Sequence, residues 1–500
     1  GSGVLSASDT FAQGDWKSWS SSQYSLCNRL LSQRVYHTIP SSGEGDEGTN
    51  FAQTTYDYDT LQRRIKTVSP GGTSSSPAGT IARVVYGDRN QILESWIGTN
   101  DTGATDINPA GSGSPNNMVK VSANVYDGGD DGGDGNLTQV TQFASDSDTR
   151  VTVYGYDWRD RRISEDGEID VYVEYTYDNV GRTTRTDRRN TNSSGYLIGR
   201  DDILYDDRGR VYQRITYAVN PSSGEPGNAL TENNWYDAAG NLIKQIAAGD
   251  GLVFRKTVFN GVGWVTATYA GFNTTNNWST ANSLDDDTIV EQTENTFDEA
   301  GNVISTAGYQ RLNDATGTGA LTAGTQPKAR VSYSAGWFDG TNRSISNANY
   351  GAISSFSRPS TTPTRSDDIL VTTITFDDAG RTYSVVDPKA IELRTTFDDA
   401  GRKAQIVEAY GTGDARTTQF SYTLDNQIAT LTAINSTTGD QATTYTYGTT
   451  LSESEVARND LLRYIAYPDS TGSSDRVAIT YNRLGQARTR TDQRGTIRTF

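Results

Sequence analysis

The chain has 500 residues, of which 34% are hydrophobic, with 50 Gly, 61 Asp plus Glu against 44 Lys plus Arg, and a net charge of −17. That acidity repels a phosphate backbone, so nucleic acid is excluded as a partner. A single Cys and a single His exclude an intrachain disulfide and a His/Cys zinc centre, and no apolar run reaches the roughly 18 residues of a membrane-crossing helix.

Length alone suggests about three domains, but internal repetition overrides that prior. Residues 1–23 are polar and lack a turn motif, so an irregular segment is expected there, followed by one continuous array over 24–500. YSLCNRL from Tyr24 is a degenerate repeat that puts Cys27 in a turn; YDYDTLQR from Tyr56 and YGDRNQ from Tyr86 follow. The stretch 98–117 reads as a loop. Tyr126 opens a turn expanded by an acidic, Gly-rich insertion, and YDWRDRR at Tyr156 has Asp160 where Gly is usual.

The pattern is then clearest. YDNVGR begins at Tyr177, YDDRGR at Tyr205, YDAAGN at Tyr236, FDEAGN at Phe297, and FDDAGR at Phe376 and again at Phe397. FNGVGW at Phe259 replaces the Asp by Asn; YTLDNQ at Tyr422 and YNRLGQ at Tyr481 are late degenerate units. Residues on both sides alternate with period two and are rich in Val, Ile, Thr, Tyr and Phe, as in strands. The Asp side chain closes an Asx-turn on an amide two residues on, and the Gly supplies a positive φ. The result is a type I turn with a bulge between two strands. The aromatic ends the incoming strand and faces a neighbouring repeat. One hairpin is marginal in water, so the units are expected to stabilise each other by lateral pairing. Polar loops are expected at 221–227, 271–287, 312–327 and 341–368. The fold class is therefore all-β: an array of β-hairpins forming a long, curved or spiralling antiparallel sheet, a hollow shell or tube.

Few residues invite chemistry. Asp127, Asp130, Asp131 and Asp134, spaced by glycines, are the candidate metal site, a loop able to wrap Ca²⁺. They do not match an EF-hand, and the plain alternative is a solvated hairpin tip. Asp285 to Asp287 and the pair Asp377 and Asp378 are thinner acidic groups. Cys27 and His37 as a nucleophile pair lack geometric support from their spacing. Trp16, Trp19, Trp96, Trp158, Trp235, Trp264, Trp278 and Trp337 are sugar-stacking candidates, though sheet packing accounts for them more simply. No carboxylate pair stands out for glycoside hydrolysis, because turns already explain most of the Asp. No phosphate-binding Gly-rich motif is present. No catalytic residue is expected, and no cofactor beyond the Ca²⁺ option.

YDNVGR, YDDRGR, YDAAGN and FDDAGR resemble the YD repeats of bacterial Rhs proteins, of the toxin-complex BC components and of animal teneurins. The resemblance covers roughly Tyr24 to Phe500 and implies a β-strip that spirals into a hollow shell. In the first two groups such shells enclose a toxin; in the third they support adhesion. Self-cleaving members carry a DPxG-rich core with catalytic aspartates. Here Asp387 opens the only Asp-Pro dipeptide, inside a repeat, and no such core is identifiable. The closing TDQRGTIRTF parallels VDPKAIELRTTF before Asp398, so a segment of a longer protein, cut within a repeat, is expected.

The expected function is a structural, non-enzymatic shell segment of a secreted or cell-surface bacterial protein. Its partners would be the rest of its own chain and an enclosed cargo, with self-association through exposed edges. The alternatives are an adhesin reading glycans or another cell through the loops, and a polysaccharide-acting enzyme.

Overall fold

The computed structural model describes residues 11–71, 79–129, 133–249, 251–273, 280–472 and 475–500. The protein is all-β, with 33 strands, two short 3-10 turns and no α-helix among the described residues. The recorded strand pairs are antiparallel and join each strand to its neighbours in sequence, for example Val171–Tyr177 with Thr183–Asn190 and Thr183–Asn190 with Leu197–Tyr205. No helix of the described residues is long and apolar enough to cross a membrane.

The chain divides into two compact units, the first made of Gly1–Tyr154, Phe376–Ser384 and Glu392–Phe500, the second of Gly155–Thr375 and Val385–Ile391. In the first unit the opening strand Ser20–Tyr24 begins within the segment expected to be irregular and pairs with Leu30–Tyr36. Residues early and late in the sequence meet there. Val119, Val456 and Tyr481 form one apolar cluster with Ile97, Leu461 and Ile479 beside it. The Asn459 amide donates to Thr80 Oγ1 at 2.9 Å, the Ile39 amide to Asp399 Oδ2 at 2.7 Å, and the Arg483 amide to the Ala144 carbonyl at 2.9 Å.

In the second unit Trp235, Ile246, Phe254, Tyr269, Ile289 and Leu321 build the main core, under residues 280–287 and 312–328. A second cluster gathers Ala335, Trp337, Ala348 and Val371. Elsewhere in this unit the sheet is held by charge. Arg185 pairs with Asp202 at 2.7 Å, Arg200 with Asp187 at 2.7 Å and Arg189 with Glu174 at 2.8 Å, across adjacent strands. Cross-strand pairs opposite in register stabilise a sheet without a thick apolar layer, which is how a chain this polar holds its strands.

The expected loops are partly wrong. Residues 341–368 contain the strand Ser344–Ala352, paired with Ala329–Phe338. The turn between them is FDGTNR at Phe338, an unrecognised repeat in which Asn342, at φ 64°, occupies the left-handed position. Gly340 sits two places too early to match the hexapeptide, and Asn tolerates that backbone nearly as well as Gly. The strand Pro226–Tyr236 likewise starts inside the expected loop 221–227.

Candidate functional site

The repeated turn is the one chemical device the chain uses many times. In YDNVGR the Asp178 amide donates to the Arg182 carbonyl at 3.0 Å, the Gly181 amide to the Asp178 carbonyl at 3.1 Å, and Gly181 has φ 89°. The strand register shifts at Tyr177, so this is a type I turn with a Gly bulge. Asp178 Oδ1 accepts from the Val180 amide at 3.0 Å and also from the Arg182 amide at 2.9 Å. Its Oδ2 accepts from Arg182 Nε at 2.7 Å. The carboxylate thus takes three hydrogen bonds inside its own turn.

The Arg then reaches the next repeat. Arg210 bonds Asp206 Oδ2 through Nε at 2.7 Å and donates from Nη1 to the Asp237 carbonyl at 3.0 Å. Its guanidinium carbon lies 4.6 Å from the Tyr236 ring centre, a cation–π contact. The Tyr236 hydroxyl returns a bond to the Val211 carbonyl at 2.8 Å. Arg161 repeats this on Asp178 and Tyr177, at 3.1 Å and 4.7 Å, and Arg381 on Asp398 and Phe397, at 2.9 Å and 4.7 Å. Arg63 clasps the Gly87 carbonyl at 2.8 Å and Tyr86 at 4.7 Å. Where the last residue is one of these Arg, the turn therefore latches to its successor.

Asn at the last position also closes the turn: Asn241 Nδ2 bonds Asp237 Oδ2 at 2.9 Å, and the next aromatic is Phe259, without a hydroxyl. Asn302 closes on Asp298 Oδ2 at 2.9 Å and reaches the following turn through its side chain, donating to Asn342 Oδ1 at 3.0 Å. Trp264 of the FNGVGW turn instead packs its ring 5.2 Å from Phe297. The electrostatics follow the bonding. The Arg161 side-chain bond, chiefly, holds the Asp157 carboxyl below its usual range, and the Arg210 amide first and its guanidinium next do the same for Asp206.

Two late degenerate turns have buried tips. In regular turns the variable residues face solvent: Val180 is 75% exposed and Val262 70%. In YTLDNQ and YNRLGQ the third residues, Leu424 and Arg483, are buried. Arg483 also pairs with Asp146 at 2.5 Å. These tips contact residues distant in sequence, so packing and not turn chemistry chose them.

The other candidates separate. Asp127 has both carboxylate oxygens engaged, Oδ1 by the Gly135 and Asn136 amides and Oδ2 by Gly135, all at 2.9 Å. Asp134 is exposed, and Asp130 and Asp131 lie outside the described residues. Asp377 is the Asx residue of its own turn. Cys27 is exposed at its turn, while His37 Nδ1 lies 3.4 Å from Thr38 Oγ1, so the two form no recorded pair. Two of the tryptophans meet: Trp16 packs edge-on against Trp19 at 5.1 Å, and Trp19 stacks on Tyr36 at 3.8 Å. Trp235 and Trp337 are buried in separate clusters, and Trp158 is 84% exposed. Trp278 lies outside the described residues.

One cavity of the first unit, about 430 Å³, is lined by Thr80, Gln427, Arg458, Asp425 and Asp460. Burial, with Asp460 nearby, raises the Asp425 carboxyl. Partial burial opposes ionisation of Asp460 too, yet its bonds from Arg458 hold it low. Asp425 Oδ2 and Gln427 Oε1 are buried acceptors with no partner.

A hairpin array latched turn to turn through Asp, Arg and an aromatic defines a class of repeat β-protein whose repeated site is architectural. No protein-family model matches the chain, and no curated protein is detectably similar to it in sequence. Solved structures share its fold. It is similar to TcdB2-TccC3 without its hypervariable C-terminal region, at a TM-score of 0.56 and 14% identity over 95% of this chain and 23% of that one. It is also similar to the Photorhabdus luminescens Tc holotoxin pore, at 0.52 and 15% identity over 93% of this chain and 23% of that one. The chain thus spans about a quarter of these structures' own chains.

Proposed function

We propose that this chain is a stretch of wall in a YD-type shell, structural and non-enzymatic, working without a cofactor in a secreted or cell-surface bacterial protein. The observation that carries the reading is the Arg latch. It joins a turn to the next at Arg63, Arg161, Arg210 and Arg381, so the array extends laterally without needing a thick core. The Tc toxin structures with the same fold support a toxin-associated shell, with the rest of a longer chain and an enclosed cargo as partners. Exposed sheet edges would be capped by those parts or by a second copy. Negative-stain electron microscopy of the purified chain tests the reading: a hollow or strongly curved body is expected, and a compact solid particle refutes it.

A second reading is favoured by the Asp425 and Asp460 cavity. A carboxyl pushed up by burial beside one held low by an Arg is the arrangement of a general acid and base, and its substrate would be a polysaccharide. Hydrolysis over a polysaccharide panel that disappears in Asp425→Asn would establish it; inactivity across the panel removes it. An adhesin role through the inter-hairpin loops would show as hits on a glycan array.

A further inference from the structure

Three polar side chains meet inside the apolar core of the second unit. Lys256 is 3% exposed, Asn273 4% and Asp287 1%. Lys256 Nζ stands 2.5 Å from Asp287 Oδ2 and donates its other hydrogens to the carbonyls of Thr280 at 3.0 Å and Ser283 at 2.5 Å. Asn273 Nδ2 donates to Asp287 Oδ1 at 2.8 Å. The Phe254 ring centre lies 4.9 Å from Lys256 Nζ, and Trp235, Tyr269, Ile289 and Leu321 complete the surroundings. Lys244 is the direct register partner of Lys256 on the adjoining strand. Its buried Nζ has no hydrogen-bond partner and sits 4.8 Å from the Trp235 ring and 5.1 Å from the Phe254 ring.

An ion pair buried this deeply gains little over an apolar replacement, because both charges lose their water. Its arrangement suits another use. The Nζ is in contact with one carboxylate oxygen, an amide N–H already holds the other, and bulk water is excluded. We propose that Lys256 and Asp287 form an intramolecular amide, which ties the strand Val253–Phe259 to the residue preceding the strand Thr288–Phe297. The bond that forms is Nζ–Cγ; the bond that breaks is Cγ–Oδ2. Oδ1 takes the negative charge of the tetrahedral intermediate under the Asn273 N–H, an oxyanion donor. Of the three ammonium hydrogens one stays on the amide nitrogen and two leave on Oδ2 as water. The first crosses the short Nζ to Oδ2 contact. The second follows from the nitrogen to Oδ2 as the tetrahedral intermediate collapses. An ammonium and a carboxylate become an amide and one water, so no oxidant, reductant or co-reactant is needed. Two buried charges become one neutral group, whose burial costs far less.

Intact-mass spectrometry of the purified, unfolded chain decides it. The expected mass is one water below the sequence mass, with a digest yielding a branched peptide that joins Lys256 to Asp287. Asp287→Ala should return the full sequence mass. Asp287→Asn should lose ammonia in place of water and finish at the wild-type mass, which distinguishes this amide from dehydration elsewhere. Asn273→Ala should slow formation by roughly 10²-fold, the cost of one oxyanion donor. Wild type at its full sequence mass, or a water loss that survives Asp287→Ala, overturns the proposal. Should Asp287→Ala fail to fold, the wild-type mass and the branched peptide still decide.

Discussion

Replacing Arg210 by Asn separates the two jobs of the repeat's last residue. Asn241 shows that Asn still closes its turn, bonding Asp237 Oδ2 at 2.9 Å. Arg210→Asn should therefore keep the turn and lose only the latch: the 3.0 Å bond to the Asp237 carbonyl and the stack 4.6 Å from Tyr236. A charged donor at a part-exposed site contributes about 1 kcal/mol, and an exposed cation–π contact about 0.5–1 kcal/mol. The loss is then roughly 1.5–2 kcal/mol, more than tenfold in a local opening equilibrium. Long arrays lose all-or-none unfolding, so the assay is native-state hydrogen exchange at the amides of Val211–Val219 and Leu242–Ile246. Tyr236→Leu completes a double-mutant cycle, with an expected coupling of about 0.5–1 kcal/mol. Exchange changed less than twofold in Arg210→Asn, or additive effects in the double mutant, would refute the latch.

Other outcomes follow from the same geometry. Gly301 has φ 88°, and an added Cβ would lie 2.9 Å from Trp264 Cζ2, whereas Gly240 at φ 99° has open space around it; Gly301→Ala should therefore destabilise more than Gly240→Ala, whose cost is about 1 kcal/mol of backbone strain, as compared by thermal melts. The turn carboxylates Asp157 and Asp206 are held below their usual range, so their stabilisation is complete above the unfolded value of about 3.9 and is lost as pH falls through the folded ones. Exchange at the turns should accelerate together below about pH 4, ahead of the apolar cores. Asp425 is shifted the other way: its contribution is present at acid pH and lost as pH rises through the raised value, so Asp425→Asn should stabilise the first unit at pH 8 and leave it unchanged at pH 3 in denaturant melts.

The hairpin was legible because its determinants are local. Tyr177 to Arg182 carries an Asx residue, a left-handed position and flanking alternation within a few residues. The latch was not legible, because Arg210 and Tyr236 are 26 positions apart and only pairing brings them together. Its trace was the choice of Arg at the last position of the turn. FDGTNR escaped because Asn342 took the place reserved for Gly. Of the buried cluster only Asp287 stands out in the sequence, as one of a thin acidic group in a loop; Lys256 and Asn273 carry no signal, since period-two patterning does not reveal which face a loop will cover. The tips of YTLDNQ and YNRLGQ appeared merely decayed, though burial had selected Leu424 and Arg483.

Small-angle X-ray scattering on the purified chain tests the central claim most directly. A wall of latched hairpins around a hollow predicts a pair-distance distribution skewed to long distances, with a particle volume well above that of a solid protein of 54.3 kDa. A symmetric distribution and a radius of gyration near 23 Å, as expected for a solid globule of this length, would contradict it.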